Sequence, residues 1–193
     1  MKKLVIKTIC ITLASLIGAF VLAFGAVTLF APKCLGELFD GVGNYSASVF
    51  FYEKQYEKTD DINDLYRLVS KIDIEKDATV AEKYYFEFIS HKDFESLCAN
   101  IDNDNRAVLA KDYYYGTYCL ALAKNGKLDK ALSFAKTYVD ENGYTINNPF
   151  RVIVMEYADD CNAEEIQKIK TALNLIVDDG EYLTADKNYI ENK

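Results

Sequence analysis

The side chains able to do chemistry are few and scattered. The chain holds a single histidine, His91, in a short turn before Asp93, and five cysteines. With no second histidine, a histidine-rich zinc site is excluded. A cysteine–histidine pair would need a third group to orient the imidazole, and none is placed for it. His91 therefore reads as a solvated turn residue. The stretch "IDNDNR" has Asp102 and Asp104 at calcium-loop spacing. Arg106 falls where a third oxygen ligand belongs, Tyr113 stands at the closing carboxylate position, and no glycine makes the turn. The stretch reads as a polar loop whose Asp104 caps the next helix. Of the cysteines, Cys10 lies in an apolar segment and Cys34 just beyond it, while Cys98, Cys119 and Cys161 lie in the body. Were Cys98 and Cys119 on adjacent antiparallel helices, they would be offset by about 18 Å along the axis. A disulfide needs Cα atoms within roughly 7 Å, so both are expected as buried free thiols. No CxxC motif points to metal or redox work. No catalytic, cofactor-binding or metal-binding residue is assigned, and the chain is not expected to be an enzyme.

Aromatic runs are the other feature. Tyr113, Tyr114 and Tyr115 are consecutive, as are Tyr84 and Tyr85 before Phe86 and Phe50-Phe51 before Tyr52. On a helix, three successive rings spread over roughly 200°. A helix packed on two sides can bury most of that arc, and exposed rings mark binding faces. Tyr113, Tyr114, Tyr115, Tyr84 and Tyr85 are thus core residues or candidates for partner contact.

The elements that must hold these residues are helical. Only 2 prolines and 9 glycines occur in 193 residues, half of them hydrophobic, and no apolar–polar alternation suggests strands. Helical segments are expected to start at Ile62, Phe94, Leu128 and Ala163, spaced by about 32, 34 and 35 residues. Each carries an apolar stripe: Phe94, Leu97, Cys98, Ile101; Leu128, Ala131, Leu132, Ala135, Tyr138; Ile166, Ile169, Leu173, Ile176. Intervening helices are expected over 45–58, 78–90, 105–124 and 149–159. Asn148 before Pro149 and Asn162 with Glu165 are start signals. Asn125-Gly126 and Asn142-Gly143 are stops.

The N-terminus is of a different kind. Between Lys7 and Lys33 no charge occurs, a run of about 25 residues, enough for a helix to cross a hydrocarbon core. A cleaved signal has an apolar region of only about 7–15 residues, so an uncleaved anchor is expected despite the small residues Ala23 and Gly25. Lys2, Lys3 and Lys7 place the N-terminus in the cytoplasm and the body outside. Set apart from those lysines, the rest carries about −11, which disfavours nucleic acid and anionic lipid as partners.

"GNYSASVFFYEKQYEK" resembles the second helix of a tetratricopeptide repeat, with Gly43, Asn44, Tyr45, Ser48, Phe51, Tyr52, Glu53 and Lys54 at the matching positions. "NGKLDKALSFAKTYV" is similar, with Gly126, Leu128, Ala131, Phe134 and Ala135. The two matches lie about two and a half periods apart, so they disagree on which helix of a pair comes first. The resemblance implies binding of peptides or proteins on a concave face.

The fold expected is all-α: a single transmembrane helix followed by a short right-handed solenoid of about four hairpins. Its parts are a cytoplasmic tip and anchor over 1–33 and a juxtamembrane helix and turn over 34–43, continuing the anchor. The repeat domain covers 44–178 and a polar tail 179–193. The function expected is that of a membrane-anchored, extracytoplasmic module for a protein or peptide partner, with a basic partner favoured by the acidic body. The alternative is a structural membrane component assembling through its transmembrane helix, where Ala14/Gly18 and Ala19/Ala23 give small-xxx-small spacing.

Overall fold

A computed structural model describes the backbone of residues 2–102, 109–177 and 180–193, and side chains from residue 6 onward within them. Among the described residues there are eleven α-helices, one 3-10 turn and no strands. They fall into two compact units, Met1–Lys71 and Ile72–Lys193.

In the first unit, α1 (Lys2–Phe30) contains a stretch, Ile6–Phe30, of 25 residues with mean hydropathy 2.3. It is long and apolar enough to cross a membrane. The anchor does not run on into the next segment as expected. Ala31 adopts φ −140° and Pro32 opens a separate helix, α2 (Pro32–Gly41). Proline lacks an N–H and its ring clashes with the carbonyl four residues back, so it starts a helix better than it continues one. At the far end of α2, Gly43 N–H bonds the Asp40 carbonyl and Asn44 N–H bonds the Phe39 carbonyl. This Schellman closure needs the positive φ of Gly43, +74°. Asn44 then caps α3 (Tyr45–Thr59) by accepting from Ala47 N–H. The two helices pack closely because Gly36 and Ser48 are small. Ser48 Oγ donates to the Gly36 carbonyl at 3.0 Å, and a Cβ at Gly36 would lie 2.7 Å from the Tyr52 ring. Asp61 caps α4 (Ile62–Val69), which buries Ile62, Leu65, Leu68 and Val69 against the unit.

The second unit comprises α5 (Ala78–Ile89), α6 (Phe94–Asp102), α7 (Ala110–Lys124), α8 (Leu128–Asn142) and α9 (Pro149–Glu156). A 3-10 turn (Ala158–Asp160), α10 (Ala163–Asn174) and α11 (Glu181–Glu191) complete it. The starts at Ile62, Phe94, Leu128 and Ala163 are as the sequence reading has them. Helix α7 packs against α5, α6, α8 and α9; α9 also meets α8 and α11, and α10 meets α8 and α11. So central a helix cannot be amphipathic, and α7 buries Tyr114, Gly116, Tyr118, Cys119, Ala121, Leu122 and Ala123. The Asn125-Gly126 stop is a second Schellman closure: Lys127 N–H bonds the Leu122 carbonyl and Gly126 N–H the Ala123 carbonyl. Asn162 and Glu165 form a capping box.

Three expectations need correction. Helix α7 begins at Ala110, where Leu109 is still extended, not at 105. Asp102 Oδ1 caps the Ala110 N–H at 2.8 Å. Asp104 and Arg106, and with them the polar-loop and cap reading, lie outside the described residues, as does the 178/179 boundary. Helix α9 ends at Glu156, because Asp159 and Asp160 would sit at the negative end of the helix dipole. The expected polar tail contains α11, with Leu183 and Ile190 fully buried. Its stripe was hidden because Asp186 holds the position between them. That buried carboxylate accepts from Arg151 Nη1 at 2.6 Å and from Tyr144 Oη at 2.8 Å.

Candidate interaction surface

The five candidate tyrosines are not one surface. Tyr84 and Tyr85 sit on the buried face of α5, and Tyr114 is buried in α7. Tyr115 is half-buried, its ring between Phe94 of α6 and Phe134 and Tyr138 of α8. Tyr113 alone is exposed, at 52%. Burial pushes the Tyr85 hydroxyl well above its ordinary pKa, with the neighbouring Tyr113 adding to it. Four of the five rings thus belong wholly or partly to the core, as two-sided packing of α5 and α7 requires.

His91 is not solvated. Its side chain is 7% exposed, and its Nδ1 accepts from the Asp93 N–H at 3.1 Å. The imidazole closes the α5–α6 turn as a local cap. The cysteines are all free; Cys98 and Cys119 are buried, and Cys10 and Cys34 exposed. Burial raises the Cys98 thiol to about 12, with Glu95 contributing, and the half-buried Cys161 to about 11. Such thiols are poor nucleophiles at neutral pH. Among the described residues no group of three histidine, cysteine or acidic side chains gathers to hold a metal.

A second buried carboxylate, Asp112, stands in the first turn of α7. It accepts from Tyr138 Oη at 2.5 Å and Thr145 Oγ1 at 2.6 Å. The helix N-terminus favours a negative charge there. Burial, followed by that Asp112 contact, drives the Tyr138 hydroxyl far above its ordinary pKa. The network is fully satisfied and ties α7 to α8 and the loop after it. Its role is structural.

One concave region combines apolar and charged side chains. It is lined by Thr79, Glu82, Lys83 and Phe86 of α5, Tyr118 of α7, and Lys127 and Lys130 at the start of α8. Phe86 is 50% exposed and its ring lies 5.7 Å from that of Tyr118, which in turn meets Phe134 edge-on at 5.1 Å. Glu82 Oε2 accepts from Lys127 Nζ and from Asn125 Nδ2, both at 2.6 Å. Burial alone would raise the Glu82 carboxyl, but those two bonds outweigh it and hold it below the usual range. Lys130 stands 3.8 Å from the same carboxylate. Lys83 lies over the Tyr84 ring.

Helical phase carried the signal for this cleft. Ala81, Tyr84, Tyr85 and Phe88 share the buried face of α5, which leaves Phe86 pointing outward. The lysines gave no signal of their own, because their convergence with Phe86 depends on how α8 starts beside α5. No protein-family model, curated protein or solved structure matches the chain.

Proposed function

We propose that the protein is a membrane-anchored helical-repeat module that binds a peptide segment, without catalysis, in the cleft between α5, α7 and α8. The observation that carries this is Phe86, a half-exposed ring on a floor of Tyr118, rimmed by Lys83, Lys127 and Lys130. Aromatic anchors with a polar rim are the residues that dominate binding energy at interfaces.

The packing order supports a repeat architecture. Helix α5 meets α7, α7 meets α9 and α9 meets α11, while α8 meets α10. Alternate helices side by side are what a stack of hairpins produces. In that reading the first helices of the pairs are α5, α7 and α9, and α11 closes the end. The small residue of the second-helix pattern fits as well: Ser48, three before Phe51, and Ala131, three before Phe134, are fully buried. The half-period disagreement between the two tetratricopeptide-like matches falls across the boundary between the units at 71/72.

Net acidity favours a basic partner at long range, but the cleft itself offers three lysines to one glutamate. The segment that fits it carries a carboxylate beside an apolar side chain. Panning a peptide library on the full chain tests this. Enriched peptides should pair acidic with bulky apolar residues, and Phe86→Ala should weaken them by tenfold or more. Enrichment that is indifferent to Phe86→Ala and to Lys127→Glu sinks the proposal.

The α1 helix anchors the module in the cell membrane, with Lys2, Lys3 and Lys7 inside and the body outside. With the exposed Cys34 replaced by serine, impermeant thiol reagent applied to intact cells should reach a cysteine placed at Lys187, and protection of that site would reverse the topology. Assembly through the small-residue face of α1 is the alternative role. It predicts a crosslink at Gly18 between two copies, and no effect of Phe86→Ala on it.

A further inference from the structure

The first unit holds an apolar tip that nothing in the cleft proposal uses. Leu38 is 58% exposed, Val42 69%, Tyr45 54% and Phe50 47%. Leu38, Val42 and Tyr45 flank the turn joining α2 to α3, and Phe50 stands a turn and a half into α3, its ring 5.1 Å from that of Phe51.

The direction of that turn follows from ring contacts. From the break at Ala31, Phe24 lies seven residues back along α1 and Phe39 eight residues on along α2, each about 10–12 Å away. Were α2 to continue α1, the two rings would stand more than about 20 Å apart. Both instead touch one ring: Phe51 lies 6.2 Å from Phe24 and 5.4 Å from Phe39. Helix α2 therefore folds back beside α1. Helix α3 then rises along α1, because Phe51 meets Phe24 while Lys58 Nζ, two turns later, donates to the Leu29 carbonyl. The α2–α3 turn points back toward the N-terminal part of α1.

Length says where that leaves it. The 25-residue apolar stretch of α1 is about 37 Å long as a helix, against a hydrocarbon core of roughly 30 Å. About five residues are in excess. Near the end of α1, the Phe24 ring and the Leu29 carbonyl are what touch α3. Two acids near the turn are paired: Asp40 with Lys71 at 2.8 Å and Glu37 with Arg67 at 3.2 Å. Lys71 and Lys54 stand over the Tyr45 and Phe50 rings, where long side chains can reach up to the headgroups.

We infer that the α2–α3 turn is a second membrane contact, with Leu38, Val42, Tyr45 and Phe50 seated in the headgroup–acyl boundary beside the emerging α1. This rests on α1 crossing a membrane. The binding is apolar, so uncharged phosphatidylcholine suffices. An interfacial tyrosine and phenylalanine beside aliphatic side chains are the residues such a boundary accepts. The contact fixes the tilt of the first unit on its anchor and makes the last turns of α1 part of the folded protein.

The chain has no tryptophan, so single tryptophans report position directly. The full chain is reconstituted in phosphatidylcholine nanodiscs with Val42→Trp, with Phe50→Trp as a second reporter should Val42→Trp misfold. Leu16→Trp reports the anchor and Val177→Trp, at a fully exposed position, reports water. Lipid brominated near the headgroup should quench position 42 or 50, with a blue-shifted emission, while position 177 is quenched only by aqueous acrylamide. If position 16 is quenched by lipid but 42 and 50 behave like 177, the tip stands in water and the inference is overturned with the anchor intact. If position 16 too is reached only from water, the anchor itself fails and the inference with it.

Discussion

Gly116 has no room for a methyl group. A Cβ there would lie 2.6 Å from Val152 Cγ2, on the facing helix α9. Valine is stiff at χ1 and cannot swing clear without moving α9. In an open helix, glycine to alanine gains about 1 kcal/mol from propensity. Here overpacking of about 1–3 kcal/mol opposes it, so Gly116→Ala should lower the urea midpoint, and Val152→Ala added to it should restore part of the loss. Ala131 tests the same physics on α8. It is fully buried, whereas the Lys130 side chain is 59% exposed. Ala131→Leu should destabilise by about 1–3 kcal/mol and Lys130→Leu should stay within about 0.5 kcal/mol. A neutral Ala131→Leu with a damaging Lys130→Leu would mean that the α8 phase is wrong. The thiols divide by burial. Maleimide at pH 7 should modify Cys34 in the native protein and leave Cys98 and Cys119 untouched until denaturant is added. Cys161, held near 11, should react faster as the pH is raised.

At the scale of elements, two carboxylates respond oppositely to acid. Glu82, on α5, has its pKa held below the ordinary 4.5 by Lys127 and Asn125. A depressed pKa adds stability that is present above the unfolded value and lost as the pH falls through the folded one. The Tm advantage of wild type over Glu82→Gln should therefore shrink below about pH 4.5. Asp186, on α11, is raised by burial despite Arg151 and Tyr144. Its contribution runs the other way and does not erode in acid. Asp186→Ala would leave Tyr144 and Arg151 without their acceptor and should cost about 3 kcal/mol, the low end for a broken buried pair because Arg151 keeps access to water. An unchanged melt would show that α11 is not held through this contact. Helix starts were legible because caps are local chemistry: Asn44, Asp61, Asn148 and Asn162 sit where their side chains meet orphan N–H groups. Helix α11 was not legible, because its middle anchor is an acid whose partner lies 35 residues away. Of the cleft, the sequence reading singled out Tyr84 and Tyr85, which are buried, and passed over Phe86, which the helical phase of α5 would have turned outward. Lys83 and Lys127 depend on tertiary placement that no spacing encodes.

For the molecule as a whole, the division at 71/72 bears on what folds alone. A cut at residue 35, just beyond the apolar stretch, would separate Pro32 from the rest of α2 and strip Phe24 from the ring of Phe51. It would leave Phe51 of α3 partly uncovered. The second unit keeps its own core: Phe88, Tyr118, Leu122, Phe150, Ile153, Ile169, Leu173, Leu183 and Ile190 are each at most 1% exposed and all lie within it. Burying such side chains contributes about 1.5–3 kcal/mol each before chain entropy is counted, and the fragment is of ordinary domain size. Residues 72–193 should therefore be helical by circular dichroism in water and melt in one cooperative transition, without detergent. Residues 35–193 should show that same transition together with binding of a hydrophobic dye, which drops when the cut is moved to 72. Should the 72–193 fragment be unfolded while 35–193 melts cooperatively, the two units are one folding domain and the boundary at 71/72 carries no independent stability.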